Sequence, residues 1–453
     1  MHRSTVSRPR RGVALGASAL ATALVLSACG GGGGGGGSDD GSLSGEVVFW
    51  HSFTQGPRAD YMERMAAEFE DAHPDVDITI ETFAWPEFYT MWTTGLATGQ
   101  VPDLSTALPN HVVEMIGAEA LVPLDDVIEE IGHERFSEAA LTEGSKDGHA
   151  YAIPIYSHAQ VMWYRTDLLE DAGIAVPETW EELAHAAAAL TEDGTYGLSV
   201  PLGANDMMGS RFLNFYVQSA GERLLADDGR ANLTSEAALE GIDYWVEAYR
   251  STSPEGSLNY DVLDQATLFY QGRTAFDFNS GFHISGVEGA SPDLLGDIAA
   301  APLPRMAAGE PHYGGETSNI PMVVWEASDV QEEAKAFLRF LYNDEDYIEF
   351  LHSVPGGMLP AMSDISDSPE YQDNDVIEEF SESVAVIEEA VPLGTAIGME
   401  QGPALQAGIL TSQGVVERMF HSVILDGTDT REAAEAAERE LNELFEAAGA
   451  EIG

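Results

Sequence analysis

Two strand-like segments and the helical segment between them predict an α/β protein. The run "GEVVFW" at 45–50 is short, apolar and opens with glycine, whereas "VDITIETF" at 76–83 alternates apolar and polar residues. Both patterns predict strands. Between them Tyr61, Met65 and Phe69 recur every four residues, which predicts a helix with one apolar face. Strand, helix and strand in about 40 residues form the unit of a mostly parallel sheet.

The remaining sequence continues this alternation of helices and strands. A further helix is predicted at 88–98, and apolar or aromatic runs predict strands at 161–164, 274–278 and 320–325. Two helix starts carry the spacing of a capping box, namely Thr179 with Glu182 and Ser328 with Gln331. The pattern as a whole predicts an α/β protein of two lobes.

The first residues carry the signature of an export signal. Four arginines lie among residues 3–11 and precede the uncharged run from Val13 to Leu26. This run has 14 residues, whereas a membrane-spanning helix needs about 20. We therefore expect a cleaved signal peptide over residues 1–28 and no permanent transmembrane anchor.

The single cysteine of the chain follows this run directly. Residues 26–29, Leu-Ser-Ala-Cys, resemble the lipobox of bacterial lipoproteins, which implies that Cys29 is lipidated and becomes the membrane attachment. The alternative is a core cysteine beside an ordinary cleavage site. Eight glycines come next, and they have no side chains with which to form a core, so residues 29–43 are predicted to be a flexible tether.

Composition excludes several classes of function. The 453-residue chain has 44% hydrophobic residues, as globular proteins do, and a formal net charge of −57, which disfavours nucleic acid as a partner. Its two lysines, Lys146 and Lys335, lie outside any phosphate-binding glycine loop. No cofactor motif is present, and no metal site is predicted, although calcium binding by the acidic cluster at 125–130 stays an alternative.

Several segments, in order, resemble the extracellular solute-binding proteins of sugar ABC importers, the family related to maltose-binding protein. They are "VVFWHSF" (47–53), "AAEFEDAHPDVDI" (66–78), "LATGQVPDL" (96–104), the long segment 148–183, "GGETSNIPMVVW" (314–325) and "GGMLPA" (356–361). The resemblance covers most of the chain after the tether. It implies the two-lobed periplasmic-binding-protein-like fold, with a hinge and a ligand cleft between the lobes.

The same resemblance implies the domain limits and the partners. Lobe 1 is expected over 44–153 plus 314–362, and lobe 2 over 154–313 plus 363–453. The expected protein is a monomer without enzymatic activity, held by its lipid anchor at the extracellular face of the cytoplasmic membrane. It captures a neutral sugar or polyol and delivers it to the ABC permease membrane subunits.

The resemblance also assigns candidate ligand-binding residues, because sugars need aromatic faces and hydrogen-bonding groups at loops beyond strand ends. In the first lobe and the crossing segments the candidates are His51, Ser52, Phe53, Trp85, Phe88, Tyr89, Asn110, Gly314, Gly315, Glu316 and Met358. In the second lobe they are Tyr156, Ser157, His158, Asn279, Ser280, Gly281 and Phe282. His51 could instead be a core residue, and only one of Trp85, Phe88 and Tyr89 is expected to stack on the ligand.

Three other functions stay open at this point. A lipid-anchored glycoside hydrolase needs only two carboxylates across a bond, yet no catalytic residues are expected because no local pattern marks such a pair. A binding protein for a membrane sensor has the same sequence features as an importer subunit. A glycerol-phosphate binder would need a basic residue in the cleft, and the stretch 392–406 has none, although Arg58 and Arg211 could reach the cleft from other elements.

Overall fold

The computed structural model describes residues 42–54, 56–192, 194–204, 206–311, 315–450 and 452. The export signal, Cys29 and the glycine tether up to residue 41 lie outside this range, as does Gly314. The strands are β1 (Gly45–His51), β2 (Val76–Thr82), β3 (Leu104–Thr106), β4 (Ser145–Lys146), β5 (His149–Ala150), β6 (Ile153–Ala159), β7 (Val161–Arg165), β8 (Phe276–Asn279), β9 (Ile298–Ala301) and β10 (Thr317–Val324).

Two sheets organise the two lobes, and β4 and β5 pair separately as a two-stranded antiparallel sheet. The larger sheet has the order β2-β1-β3-β10-β6, in which β1 pairs in parallel with β2 and β3, and β10 runs antiparallel to β3 and β6. The smaller sheet has the order β8-β7-β9 and is antiparallel throughout. The first lobe is the region built on the larger sheet, and the second lobe is the region built on the smaller one.

Helices cover both sheets. In the first part of the chain they are α1 (Pro57–Ala72), α2 (Trp85–Thr98), α3 (Pro109–Gly117), α4 (Asp125–Ile131), α5 (Glu138–Glu143), α6 (Thr166–Ala172), α7 (Trp180–Ala189), α8 (Met208–Ser219), α9 (Glu236–Thr252), α10 (Val262–Tyr270) and α11 (Phe282–Ala290). After the return to the larger sheet they are α12 (Gln331–Phe340), α13 (Asp344–His352), α14 (Ser363–Ser366), α15 (Pro369–Gln372), α16 (Asp375–Glu379), α17 (Ser381–Ala390), α18 (Leu405–Ser412), α19 (Val415–His421) and α20 (Thr430–Ala447). Within the described ranges no helix combines the length and apolar character needed to cross a membrane.

The observed elements confirm most of the sequence-based ones. Helix α2 begins three residues before the predicted 88–98, because Trp85 and Pro86 occupy its first turn. The capping box at Thr179 is present with both of its hydrogen bonds. The capping box predicted at Ser328 is wrong: α12 begins at Gln331, and the Ser328 hydroxyl accepts from Val330 N before the helix starts.

The chain passes between the sheets at places that bear on the cleft. Strand β6 belongs to the larger sheet and β7 to the smaller one, and only Gln160 separates them. The chain returns to the larger sheet between β9 and β10. Such crossings let two lobes move about a short hinge. The lobe limits expected from the sequence stay a prediction.

Three apolar clusters form the core. One packs α1, α12 and α13 against the larger sheet and continues to Trp163 of β7 and Ile284 of α11. A second packs α2 and α3 on the other face of the larger sheet, and a third surrounds α7, α8, α9, α18 and α20 in the second lobe. Four tryptophans of these cores, Trp163, Trp180, Trp245 and Trp325, are buried.

Candidate ligand cleft

A cavity of about 200 Å³ lies between the two lobes, against the strands that cross from one to the other. Its wall includes six residues predicted from the sequence, namely Trp85, Tyr156, His158, Asn279, Ser280 and Phe282. It also includes twelve others: Arg58, Leu108, Gln160, Asp206, Met207, Arg211, Val262, Leu263, Ala266, Tyr270, Ser318 and Ile320. We call this space the cleft cavity.

Strand alternation decides which residues of the crossing strands reach the cleft cavity. Along β6 and the next residue, Tyr156, His158 and Gln160 line it, since side chains two apart share a face. Ser157 therefore points to the opposite face, where its hydroxyl donates to Asn319 Oδ1 at 2.6 Å. This outcome could have been read from the sequence, because counting every second residue from Tyr156 gives Gln160 as a lining residue and excludes Ser157.

The turn between β8 and α11 presents Asn279, Ser280 and Phe282 to the cleft cavity. Trp163 Nε1 donates to Ser280 O at 2.9 Å, and this bond fixes the turn from below. The Cβ of any larger residue at Gly281 would lie 1.9 Å from Gly356 O, so glycine is required there by close packing of two backbone segments.

Beneath that turn is a buried pair that holds α11. His283 Nε2 lies 2.6 Å from Asp277 Oδ2, and Gln265 donates to the same carboxylate. All three side chains are buried. The turn is therefore attached to β8, α10 and α11 together, which positions its polar groups in advance of any ligand.

Two arginines lie in the wall of the cleft cavity, and their surroundings differ. Arg211 on α8 makes two hydrogen bonds of 2.6 Å to the two carboxylate oxygens of Glu316, just before β10. Burial alone would lower the pKa of Arg211, but the adjacent Glu316 carboxylate raises it above its ordinary value. The predicted site residue Glu316 is thus the partner of a wall residue, and its bidentate pair ties the second lobe to the crossing strand.

Arg58 on α1 instead lies between aromatic rings. Its guanidinium carbon is 5.3 Å from the ring centre of Phe53 and 4.9 Å from that of Phe282. Burial lowers the pKa of Arg58, which nevertheless stays a cation because guanidinium is a very strong base. This contact joins helix α1 of the first lobe to the β8–α11 turn of the second.

The other ionisable groups of the wall are controlled by burial. Burial, followed by the charges of Arg211 and Arg58, lowers the pKa of His158 to about 3, so its ring is neutral at physiological pH. Burial raises the pKa of Tyr156 to about 12 and that of Asp206 above its ordinary value. Asp206 accepts from the backbone nitrogens of Met207 and Val262. The wall thus combines neutral donors and acceptors with one acid and two arginines, of which Arg211 is paired with Glu316.

Several predicted residues of the first lobe lie outside the described wall of the cleft cavity. His51 packs between Phe49 and Phe53, and burial lowers its pKa to about 4. Ser52 is buried beside it, and Phe53 lies behind two wall residues, Arg58 and Tyr156. Their role in binding stays a prediction.

The remaining candidates also have other contacts. Phe88 and Met358 are fully buried in the apolar cores. Tyr89 donates to Glu114 Oε2 at 3.0 Å, and Asn110 donates to Ile397 O at 2.7 Å. Gly315, with Glu316, lines a neighbouring cavity of about 70 Å³. Of the three aromatic residues Trp85, Phe88 and Tyr89, only Trp85 is part of the described wall.

Two surface depressions are larger than the cleft cavity. They have volumes of about 630 and 450 Å³ and share the loop residues 225–228, including Asp227 and Asp228. The second of them is also lined by residues between 398 and 406, and aromatic rings are absent from the described linings of both. The cleft cavity combines aromatic faces with convergent polar groups, which is the composition of small-molecule sites.

The fold and this cleft define a two-lobed binding protein, and comparison with known proteins gives the family. The sequence profile described as "Bacterial extracellular solute-binding protein" matches residues 55–348. The chain belongs to this family.

Individual relatives are distant in sequence but similar over nearly the whole length. The chain is 22% identical to the "Putative ABC transporter periplasmic-binding protein YcjN" of Escherichia coli (strain K12), over 95% of this chain and 97% of that one. Among solved structures, a solute-binding protein from Thermotoga lettingae bound with α-D-tagatose has a TM-score of 0.78 at 20% identity, covering 89% of this chain and all of that one. One from Agrobacterium radiobacter K84 in complex with ribitol has a TM-score of 0.75 at 21% identity, with 89% and 100% coverage.

Proposed function

We propose that this protein is the substrate-binding subunit of an ABC importer and captures a neutral sugar or polyol in the cleft cavity. The observation that carries the proposal is the wall itself. It combines the aromatic faces of Trp85, Tyr156 and Phe282 with the hydrogen-bonding groups of Asn279 and Gln160. Sugar rings stack on such faces, and their hydroxyls pair with such groups.

The charges of the wall favour a neutral ligand. The charge of Arg211 is balanced by Glu316 at 2.6 Å, and His158 is neutral. Arg58 and Asp206 lie in the wall of the same cavity. A hydroxyl can accept from Arg58 and donate to Asp206, whereas a phosphate would be repelled by the net charge of −57.

The names of related proteins support this ligand class. The tagatose and ribitol complexes of the two structural relatives contain a monosaccharide and a polyol. The arabinooligosaccharide-binding protein of Halalkalibacterium halodurans is 26% identical over 76% of this chain. By the same reasoning, we propose that the ligand passes from the cleft to permease subunits, and that binding occurs without chemical change.

The lipobox-like sequence at residues 26–29 supports attachment of the protein to the outer face of the cytoplasmic membrane. Lipidated Cys29 would hold a monomeric binding protein close to the permease, while the glycines after it would let the protein reach its ligand. Cys29→Ser should release a folded protein into the medium.

Calorimetric titration of neutral sugars, polyols and glycerol phosphate tests the ligand class. We expect at least one neutral compound to bind with a Kd of about 1 μM, equivalent to roughly −8 kcal/mol. Trp85→Ala should weaken that binding about tenfold or more, because the ligand loses a stacking surface. Tyr249→Ala, which alters a half-buried aromatic residue on α9, is the matched control. Binding of glycerol phosphate with none of the sugars contradicts the neutral class.

A further inference from the structure

We propose that direct contact of α2 and α3 with α18 closes one end of the cleft, so that the ligand is no longer than two sugar units or a short polyol. This inference rests on the proposed function and narrows its ligand class. We call this contact the interlobe seam; it is formed by Tyr89, Asn110 and Glu114 on one side and by Ala407, Gly408 and Gln413 on the other.

The cleft cavity ends where the interlobe seam begins. Leu108 is part of the cavity wall, and α3 starts at the next residue. Two residues after Leu108, the Asn110 amide donates to Ile397 O at 2.7 Å and to Ala407 O at 3.3 Å. Asn110 is 3% exposed. Its donor group is therefore engaged with backbone carbonyls before and within α18, on the other side of the cleft.

The two helices of the seam approach each other at backbone distance. A Cβ added at Gly408 of α18 would lie 2.8 Å from Asn110 O and 2.5 Å from Glu114 Cγ. Real Cβ atoms essentially never come this close to another atom, so one of the helices would have to move. A sugar ring is much larger than a methyl group and therefore does not fit between α3 and α18.

Polar bonds continue the seam beyond Gly408. Tyr89 donates to Glu114 Oε2 at 3.0 Å, and Gln413 Nε2 donates to the Tyr89 hydroxyl at 3.0 Å. Inserting part of a ligand here would break these bonds and leave Glu114, whose pKa burial already raises, in a poorly solvated place.

One stretch of the cavity wall, on α10, is apolar. It consists of Val262, Leu263 and Ala266, and Leu263 is 51% exposed. These three side chains give no hydrogen bonds to sugar hydroxyls, and covering hydroxyls without partners is unfavourable. The polar groups next to this stretch are those of Tyr270, on the same helix, and Asp206, which accepts from Val262 N. With a volume of about 200 Å³, the cavity is also smaller than the range of about 300–1,000 Å³ that is usual for drug-sized ligands.

Titration with saccharides of increasing length tests this limit. The probes are the gluco-, malto-, cello-, xylo- and arabino-saccharides of one to four units, together with pentitols and hexitols. We expect the tightest binder to have one or two units or to be a polyol, and its three- and four-unit homologues to bind at least about tenfold more weakly.

Each outcome is decisive. A trisaccharide that binds within about tenfold of its own disaccharide, or tighter, overturns the length limit and leaves the proposed function intact. If every probe fails to bind at millimolar concentration, the proposed function itself is rejected.

A variant of the seam tests its role directly. Gly408→Ala should separate α3 from α18, and it should lower the preference for the short ligand over its tetrasaccharide homologue by about tenfold. Gly289→Ala on α11, where an added Cβ meets nothing within 4 Å, is the matched control. Asn110→Ala, which removes the amide bonds without adding bulk, serves if Gly408→Ala does not fold. An unchanged length preference in the folded variant rejects the seam as the limit.

Discussion

Glu417 is a carboxyl group with no exposed surface, on α19 behind the helix that carries Arg211. One of its oxygens accepts from Ser210 N at 2.9 Å and from the Ser210 hydroxyl at 3.1 Å. Burial raises the pKa of Glu417 from 4.5 to about 7. The folded protein therefore holds this proton more tightly than the unfolded chain does.

The contribution of Glu417 to the stability of the protein should consequently fall as pH rises between about 4.5 and about 7, since deprotonation leaves a buried charge. Glu417→Gln keeps the acceptor for Ser210 and removes the charge. The free energy of unfolding of the variant minus that of the natural protein should therefore be about 2–3 kcal/mol larger at pH 8 than at pH 5. Urea unfolding at several pH values measures this difference. Glu446→Gln, which alters an exposed glutamate on α20, is the control.

A difference between Glu417→Gln and the natural protein that is the same at pH 5 and pH 8 would show that Glu417 does not titrate in this range. The pH dependence would then belong to another group, of which Glu143 is the first to consider, because burial raises its pKa to about 7 as well.

At the scale of single elements, the start of α7 is held by a reciprocal pair of bonds. The Thr179 hydroxyl accepts from Glu182 N at 3.2 Å, and Glu182 Oε2 accepts from Thr179 N at 3.2 Å. The helix then places Trp180 against Trp245 and Phe278 in the second lobe. The cap therefore fixes both the helix end and an aromatic core contact.

Thr179→Ala should lower the free energy of unfolding by about 1–2 kcal/mol, because Glu182 N loses its hydrogen-bond acceptor and the reciprocal capping box is broken. Ser328→Ala makes the same chemical change before α12, where the hydroxyl accepts only from Val330 N outside the helix. Its cost should be smaller, about 0.5 kcal/mol or less. Denaturant unfolding of both variants measures the two costs. Equal costs would contradict the conclusion that Thr179 caps its helix and Ser328 does not.

The same two positions show what sequence patterns determine and what they leave open. Spacing identifies Thr179 and Ser328 equally, but the start of α12 depends on how the chain leaves β10, which is a tertiary property. Likewise the period of two in β6 is readable along the chain. That Asn110 meets Ala407, or that Arg58 meets Phe282, depends on segments about 220–300 residues apart, which no local pattern brings together.

At the scale of the whole molecule, the charge is strongly one-sided. The formal net charge is −57, and several basic side chains already have acidic partners, as Arg64 does with Glu68, Asp346 and Glu349. The excess carboxylates on the surface therefore repel one another. This repulsion opposes the compact state and decreases when salt shortens the range of the field.

The melting temperature should rise between about 10 mM and about 150 mM sodium chloride, over which the screening length falls from roughly 30 to 8 Å. Choline chloride at the same ionic strengths is the control for specific binding of sodium. A flat or falling curve in both salts would show that local pairing already neutralises the surface.

Trp85 is the half-buried tryptophan of the chain, since the other six of its seven tryptophans are buried. Its indole is in the wall of the cleft cavity, where a ligand would displace water from it. The emission of the protein upon ultraviolet excitation thus combines a constant signal from shielded indoles with one signal that depends on occupancy. The molecule therefore carries its own optical reporter, and binding can be followed in real time without attaching a dye.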